Sequence, residues 1–223
     1  MVFFWIAAYG LVYTLACALP QQVRLWAVPL GIVGYAAILI GWIFRSGQAR
    51  ALGLCAPPGK PGRGLWLVLP MLLLPLCNLL LAGSFHPEPS TLVLMLGVCT
   101  VEEVFFRGFL LRRLLRFGAI AAILLSGGIF ALFHLASPAE ALTDPAAQLA
   151  CAFAVGICYG AAALRLGSLI PCILSHFLTN ITAAPLTAEA VPWLWLCTAV
   201  YLCIDVFLCK RVMVITHKED SDL

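Results

Sequence analysis

Two adjacent glutamates and an arginine interrupt an otherwise apolar run near the middle of the chain. The run reads Val-Glu-Glu-Val-Phe-Phe-Arg from Val101 to Arg107. An ionised side chain is strongly disfavoured in an apolar environment unless it is paired or hydrogen-bonded. Three such residues in one apolar run therefore indicate a functional site that faces the interior of the fold.

Helical spacing gives the two glutamates different partners. Glu103 and Arg107 are four residues apart, so they lie on one face of a helix and can form an ion pair. Glu102 is rotated by about 100° from Glu103 and cannot easily share that arginine. A desolvated carboxyl group suits a general base or acid. Glu102 is therefore the candidate for chemistry.

Candidate partners for Glu102 lie in two later apolar runs. The first ends in Phe130-Ala-Leu-Phe-His134, and the second contains His176-Phe-Leu-Thr-Asn180, which puts an imidazole and an amide on one helix face. These groups could bind a water molecule or stabilise an oxyanion. Alternatively, Glu102, His134 and His176 could ligate zinc. Either histidine alone could simply bond a neighbouring carbonyl, but the combination favours a site.

The composition indicates a membrane protein. The 223 residues are 63% hydrophobic and 10% charged, with a mean hydropathy of +1.05. Soluble domains are about 45–50% apolar and about 25% charged. We therefore predict an all-α, polytopic membrane helix bundle that forms a single integral membrane domain over residues 1–223. Its motif-bearing core would be 91–185, and 210–223 would be a polar cytoplasmic tail.

Eight apolar runs are long enough, or nearly so, to cross a bilayer, which takes about 20 residues. They span 2–19, 25–44, 65–83, 91–111, 119–137, 146–164, 167–185 and 191–209. The first is expected to be a retained helix and not a cleaved signal peptide, because no basic segment precedes it.

Basic residues mark alternate connections between these runs, which predicts that both termini are cytoplasmic. The other connections carry acidic residues, and only Arg24 goes against the pattern. Arg165 and Asp205 lie near the ends of runs, where we expect them to reach toward the interface. The basic residues that define the pattern are Arg45, Arg50, Lys60, Arg63, Arg112, Arg113, Arg116, Arg165, Lys210, Arg211 and Lys218.

Ten cysteines are present, mostly inside apolar runs and without the spacing of a zinc site. We expect them to behave as small hydrophobic residues. A disulfide or a lipid attachment site is the alternative.

Three motifs follow one another in order along the chain. They are Glu-Glu-x-x-x-Arg at 102–107, Phe-x-x-x-His at 130–134 and His-x-x-x-Asn at 176–180. Together they resemble the CPBP family of intramembrane glutamic endopeptidases, also called the Abi or CAAX prenyl protease type 2 family. The resemblance covers residues 102 to 180, and the first three runs and the last carry no such motif.

This resemblance implies an eight-helix intramembrane endopeptidase that cleaves a protein or peptide near its C-terminus or near the membrane. Glu102 would activate water together with His134, and His176 and Asn180 would stabilise the oxyanion. The supporting residues would be Glu103, Arg107 and Phe130. No cofactor is expected, and zinc held by Glu102, His134 and His176 stays open. The implied partners are the substrate and the bilayer, without nucleic acid, and the implied location is the bacterial cytoplasmic membrane.

Two other functions stay open. The chain could be a catalytically silent family member that acts as an immunity or partner-binding protein. It could also be a proton-coupled transporter, since intramembrane Glu, His and Arg form proton relays. Transporters usually contain two related halves, and no internal repeat is evident here. The predicted spans place His134 near the outer end of its helix and Glu102 near mid-membrane, and helix tilt or a shifted boundary could bring them level.

Overall fold

The computed structural model describes residues 2–55, 65–82, 86–134, 144–183 and 190–221, and within these ranges it is helical without any strand. The predicted all-α class is therefore confirmed. The α-helices are α1 Val2–Cys17, α2 Gln21–Arg45, α3 Val68–Met71, α4 Leu73–Ala82, α5 Pro89–Glu103, α6 Leu111–Leu114, α7 Ala119–Phe133, α8 Pro145–Leu166, α9 Ile170–Thr182 and α10 Val191–Ser221.

Three helices in the described part of the chain are long and apolar enough to cross a membrane: α2, α8 and the Val191–Lys210 part of α10. Shorter apolar helices lie at Phe4–Cys17, Val68–Leu81, Ala119–Phe133 and Ile170–Thr182. Large apolar side chains such as Phe4, Leu80 and Val206 are exposed on the surface, as expected of groups that face lipid. The number of crossings and the orientation of the termini stay predictions.

Helices lie in all eight predicted runs, but several ends differ. The third run is interrupted at Leu72 between α3 and α4. Pro75 explains this break, since it has no N–H to bond the carbonyl of Met71. Helix α10 continues to Ser221 because no glycine or proline ends it, so the backbone of the predicted polar tail is helical that far. The predicted end of the fifth run, residues 135–137, lies outside the described residues.

Helix α8 forms the centre of the bundle, with Ala, Gly and Cys on much of its buried surface. The Asp144 carboxylate accepts from the Ala147 N–H at 3.0 Å and caps its first turn. Gly167, at a φ of +62°, ends it in the left-handed conformation that glycine favours. Helix α9 then begins at Ile170 and contains the His176 motif, with His176 buried in the bundle.

Candidate active site

The helix that carries the glutamates changes type directly after them. Helix α5 ends at Glu103, and Val104–Leu110 forms a π-helix before α6 begins. Such π segments occur frequently at functional sites. Hydrophobic periodicity gave no sign of this segment, because its residues continue the apolar run.

Glu103 and Arg107 form the predicted ion pair. Arg107 Nη1 donates to Glu103 Oε1 at 2.9 Å, and both side chains are fully buried. Arg107 Nη2 also donates to the Gly156 carbonyl on α8 at 3.4 Å. The guanidinium carbon lies 4.2 Å from the ring centre of Phe130 and 5.5 Å from that of Tyr159. Aromatic faces and a carboxylate thus compensate the buried cation.

His176 lies beside both glutamates. Its Nδ1 is 2.9 Å from Glu103 Oε1, and its Nε2 is 3.8 Å from Glu102 Oε2. Because an ionised carboxylate can only accept, Nδ1 carries the hydrogen in that short bond. The longer distance exceeds that of a direct hydrogen bond. The sequence could not show this contact, since His176 and Glu103 are 73 residues apart.

Access to solvent distinguishes the two carboxylates. The Glu102 side chain is 14% exposed, whereas that of Glu103 is fully buried. Glu102 makes no direct hydrogen bond within the described part of the chain. One carboxylate is therefore held rigidly in the structure, and its neighbour is left accessible.

His134 directly follows the end of α7. Its Nδ1 is 2.9 Å from the Phe130 carbonyl oxygen. A carbonyl accepts only, so Nδ1 donates and Nε2 keeps a lone pair in the neutral ring. Among the described residues, no ion pair joins His134 to either glutamate. The imidazole that forms an ion pair with Glu102 is that of His176.

The Phe130 ring packs against both histidines. Its centre lies 4.7 Å from that of His134 and 5.7 Å from that of His176. Together with its contact to Arg107, this makes Phe130 the aromatic side chain that all three polar motifs share.

Asn180 lies one turn after His176 on α9, as its spacing predicts. Its Nδ2 donates to Cys99 Sγ at 3.4 Å. Sulfur is a weak acceptor, so this amide can exchange the bond for a stronger one.

Asn78 on α4 was not predicted to belong to the site. Its Nδ2 donates to the Thr179 carbonyl at 3.3 Å and to Thr182 Oγ1 at 3.4 Å, and so ties α4 to the helix that carries His176. The signal in the sequence that could have identified Asn78 is a single amide side chain inside an apolar run.

The zinc alternative can be compared with these positions. In the described ranges, no group of three or more His, Cys, Asp and Glu side chains is arranged to hold a metal ion. Glu102, His134 and His176 are therefore not brought together as a ligand set.

Two side expectations can also be compared with the structure. Asp205 is only 4% exposed on α10, and both of its carboxyl oxygens are without a hydrogen-bond partner in the described part of the chain. The expectation that it reaches toward the interface is wrong, because its side chain faces into the bundle.

All ten cysteines are free, and five of them are buried, as expected of small hydrophobic residues.

Comparison with known proteins assigns the motif-bearing region. Residues 84–182 match the model of the Rce1-like family, described as type II CAAX prenyl endopeptidase Rce1-like. The match includes all three motifs. No curated protein and no solved structure matches the chain. The resemblance seen in the motifs is thus confirmed over residues 84–182, which are similar to the Rce1-like family of type II CAAX prenyl endopeptidases.

Proposed function

We propose that the protein is an intramembrane endopeptidase that uses Glu102 to activate water. The observation that carries this proposal is the contrast between adjacent carboxylates. Glu103 is fully buried and bound to Arg107 at 2.9 Å, whereas Glu102 is 14% exposed and lies 3.8 Å from His176 Nε2 without a direct hydrogen bond in the described part of the chain. The substrate is a protein or peptide cleaved in its C-terminal or membrane-proximal region. The reaction needs no cofactor.

In the first step, Glu102 accepts a proton from a water molecule, and the hydroxide adds to the scissile carbonyl carbon. General base catalysis of this kind typically contributes about 10²–10⁴-fold to the rate. Because His134 Nδ1 donates to the Phe130 carbonyl, its Nε2 keeps a lone pair. This Nε2 is the second acceptor for the water.

The negative charge that develops on the carbonyl oxygen is stabilised by the α9 side chains. Asn180 exchanges its weak bond to Cys99 for one to the oxyanion. Such a donor is worth roughly 2.7–4 kcal/mol in enzymes where one was removed. In its doubly protonated form, His176 donates to Glu103 through Nδ1 and to the oxyanion through Nε2. Glu102 then passes its proton to the leaving nitrogen as the C–N bond breaks, so the products are a carboxylic acid and an amine.

The proposed hydrolysis is tested with purified protein in lipid vesicles. The probes are a farnesylated peptide ending in Cys-a-a-X, its unprenylated twin and a set of peptides from membrane-protein C-termini. In ¹⁸O-labelled water, we expect one ¹⁸O atom in the newly formed carboxyl group, detected by mass spectrometry. A strong metal chelator is expected to leave the rate unchanged. A folded protein that cleaves none of the peptides would contradict the proposal and favour a silent family member. Loss of cleavage in the chelator would contradict the metal-free mechanism.

A further inference from the structure

Three buried polar atoms next to the Glu103–Arg107 pair lack partners. Glu103 Oε2, Arg107 Nε and the Tyr159 hydroxyl make no hydrogen bond within the part of the chain that the structure describes. Buried polar groups are normally bonded either to protein or to ordered water. Three unbonded atoms at one place therefore point to a small molecule that the site binds.

The three atoms belong to side chains that contact one another. The carboxylate and the guanidinium are already joined at 2.9 Å through Oε1 and Nη1, so their other polar atoms are close by covalent geometry. Tyr159 on α8 is 1% exposed, and its ring centre lies 5.5 Å from Arg107 Cζ and 6.2 Å from the His176 ring. Its hydroxyl interacts electrostatically with Glu103.

Thr179 is another candidate partner for the Tyr159 hydroxyl. It interacts with Tyr159, but the two hydroxyls do not form a hydrogen bond of acceptable geometry. The Thr179 hydroxyl instead donates to the Ser175 carbonyl at 2.9 Å. Among the described residues, the Tyr159 hydroxyl is thus without a hydrogen bond of normal geometry, and Glu103 and Arg107 are charged groups that interact with its side chain.

The chemistry of the three atoms defines the ligand. Arg107 Nε can only donate, Glu103 Oε2 accepts, and the Tyr159 hydroxyl can do either. A cation would be repelled by the guanidinium, and an anion would be repelled by the carboxylate. A water molecule is neutral, small and able to make the two to four bonds that a buried water needs.

We propose that Glu103, Arg107 and Tyr159 bind an ordered internal water, and that Tyr159 acts through this water as a positioning residue for Glu103 and His176. Glu103 Oε1 accepts from both Arg107 and His176. A bond to Oε2 fixes the rotation of the carboxylate, and so fixes the direction of the imidazole. This water is distinct from the attacking one, because Glu103 is fully buried and the accessible carboxylate is that of Glu102.

Tyr159→Phe removes the hydroxyl and keeps the ring. Tyr201→Phe on α10 is the matched control, since Tyr201 is equally buried and its hydroxyl accepts from the Leu74 N–H at 3.3 Å. An experimental structure that resolves waters is expected to contain density within bonding distance of Glu103 Oε2 and Arg107 Nε in the wild type. That density should be lost or weakened in Tyr159→Phe and kept in Tyr201→Phe. Absence of density at this position in the wild-type structure would overturn the water site.

Peptide cleavage tests the positioning role, and this arm rests on the proposed function. Loss of one bond to a charged group predicts that kcat falls about tenfold in Tyr159→Phe while KM stays unchanged. Tyr201→Phe should keep wild-type kcat even if its melting temperature falls. Equal kcat in Tyr159→Phe and the wild type would overturn the positioning role. The two failures are distinguishable: if the wild type cleaves nothing, the proposed function fails, and the density still decides the water site.

Discussion

At the scale of single residues, the adjacent glutamates have opposite surroundings. Glu103 binds Arg107 and His176 with one oxygen, whereas Glu102 is partly exposed and makes no direct hydrogen bond in the described part of the chain. The Glu103–Arg107 pair could be predicted because a spacing of four residues is local to one helix. The position of His176 could not, because it depends on how α9 packs against α5.

Arg107→Met tests whether the ion pair supports the site. Removal of Arg107 breaks the buried pair and leaves Glu103 bonded to His176 alone among the described residues. Breaking a buried pair typically costs about 3–5 kcal/mol. We expect the free energy of unfolding, measured by denaturant titration in detergent, to fall by about that amount. Arg113→Met is the control, since Arg113 is exposed on α6. Equal stability of the two variants would mean that the buried pair contributes nothing.

Asp205→Asn tests the carboxyl group on α10 that has no described partner. A buried charge without a partner destabilises a fold, and an amide of the same shape carries no charge. At alkaline pH, where carboxyl groups are ionised, we expect the variant to unfold at a higher temperature than the wild type. A lower unfolding temperature would reveal a stabilising partner for Asp205.

At the scale of helices, close approach between α7 and α8 positions Arg107. A Cβ atom added to Gly156 would lie 2.9 Å from Gly127 Cα, so only glycine lets the two backbones meet. The same Gly156 supplies the carbonyl that accepts from Arg107.

Hydropathy located all eight helical segments. It missed the break at Leu72 and the π-helix after Glu103, because both depend on backbone hydrogen bonding inside apolar sequence.

Gly156→Ala is expected to destabilise the bundle and displace the Arg107 contact. Overpacking against backbone typically costs about 1–3 kcal/mol. Gly128→Ala on α7 is the matched control, because its Cβ would meet only Phe153 Cε2 at an ordinary 3.8 Å. The measurement is the free energy of unfolding of both variants under the same conditions, and we expect a larger loss in Gly156→Ala. A loss of stability in Gly128→Ala as large as in Gly156→Ala would contradict a specific role for the Gly127–Gly156 contact.

At the scale of the whole molecule, the apolar surface and the basic connections predict how the bundle lies in the membrane. Three helices have the length and hydropathy of membrane spans, and the shorter ones pack around them. Composition alone was sufficient to predict the membrane location. The number of crossings is harder to predict, because α4, α7 and α9 are each shorter than the bilayer core requires.

Reporter fusions test the predicted cytoplasmic termini. Green fluorescent protein fused to the C-terminus in a bacterial host should fluoresce, and alkaline phosphatase fused there should be inactive. Alkaline phosphatase fused after the exposed His86, between the third and fourth runs, should be active. The reverse pattern of activity would contradict the orientation derived from the basic connections.

The most direct test of the account is the cleavage rate of Glu102→Gln, which replaces the accessible carboxylate with a neutral group of the same shape. We expect kcat to fall by about 10²–10⁴-fold, the range typical of a lost general base. The unfolding temperature should stay at the wild-type value, because Glu102 makes no direct hydrogen bond within the described residues. Cleavage by a folded Glu102→Gln variant at the wild-type rate would contradict the central role given to this residue.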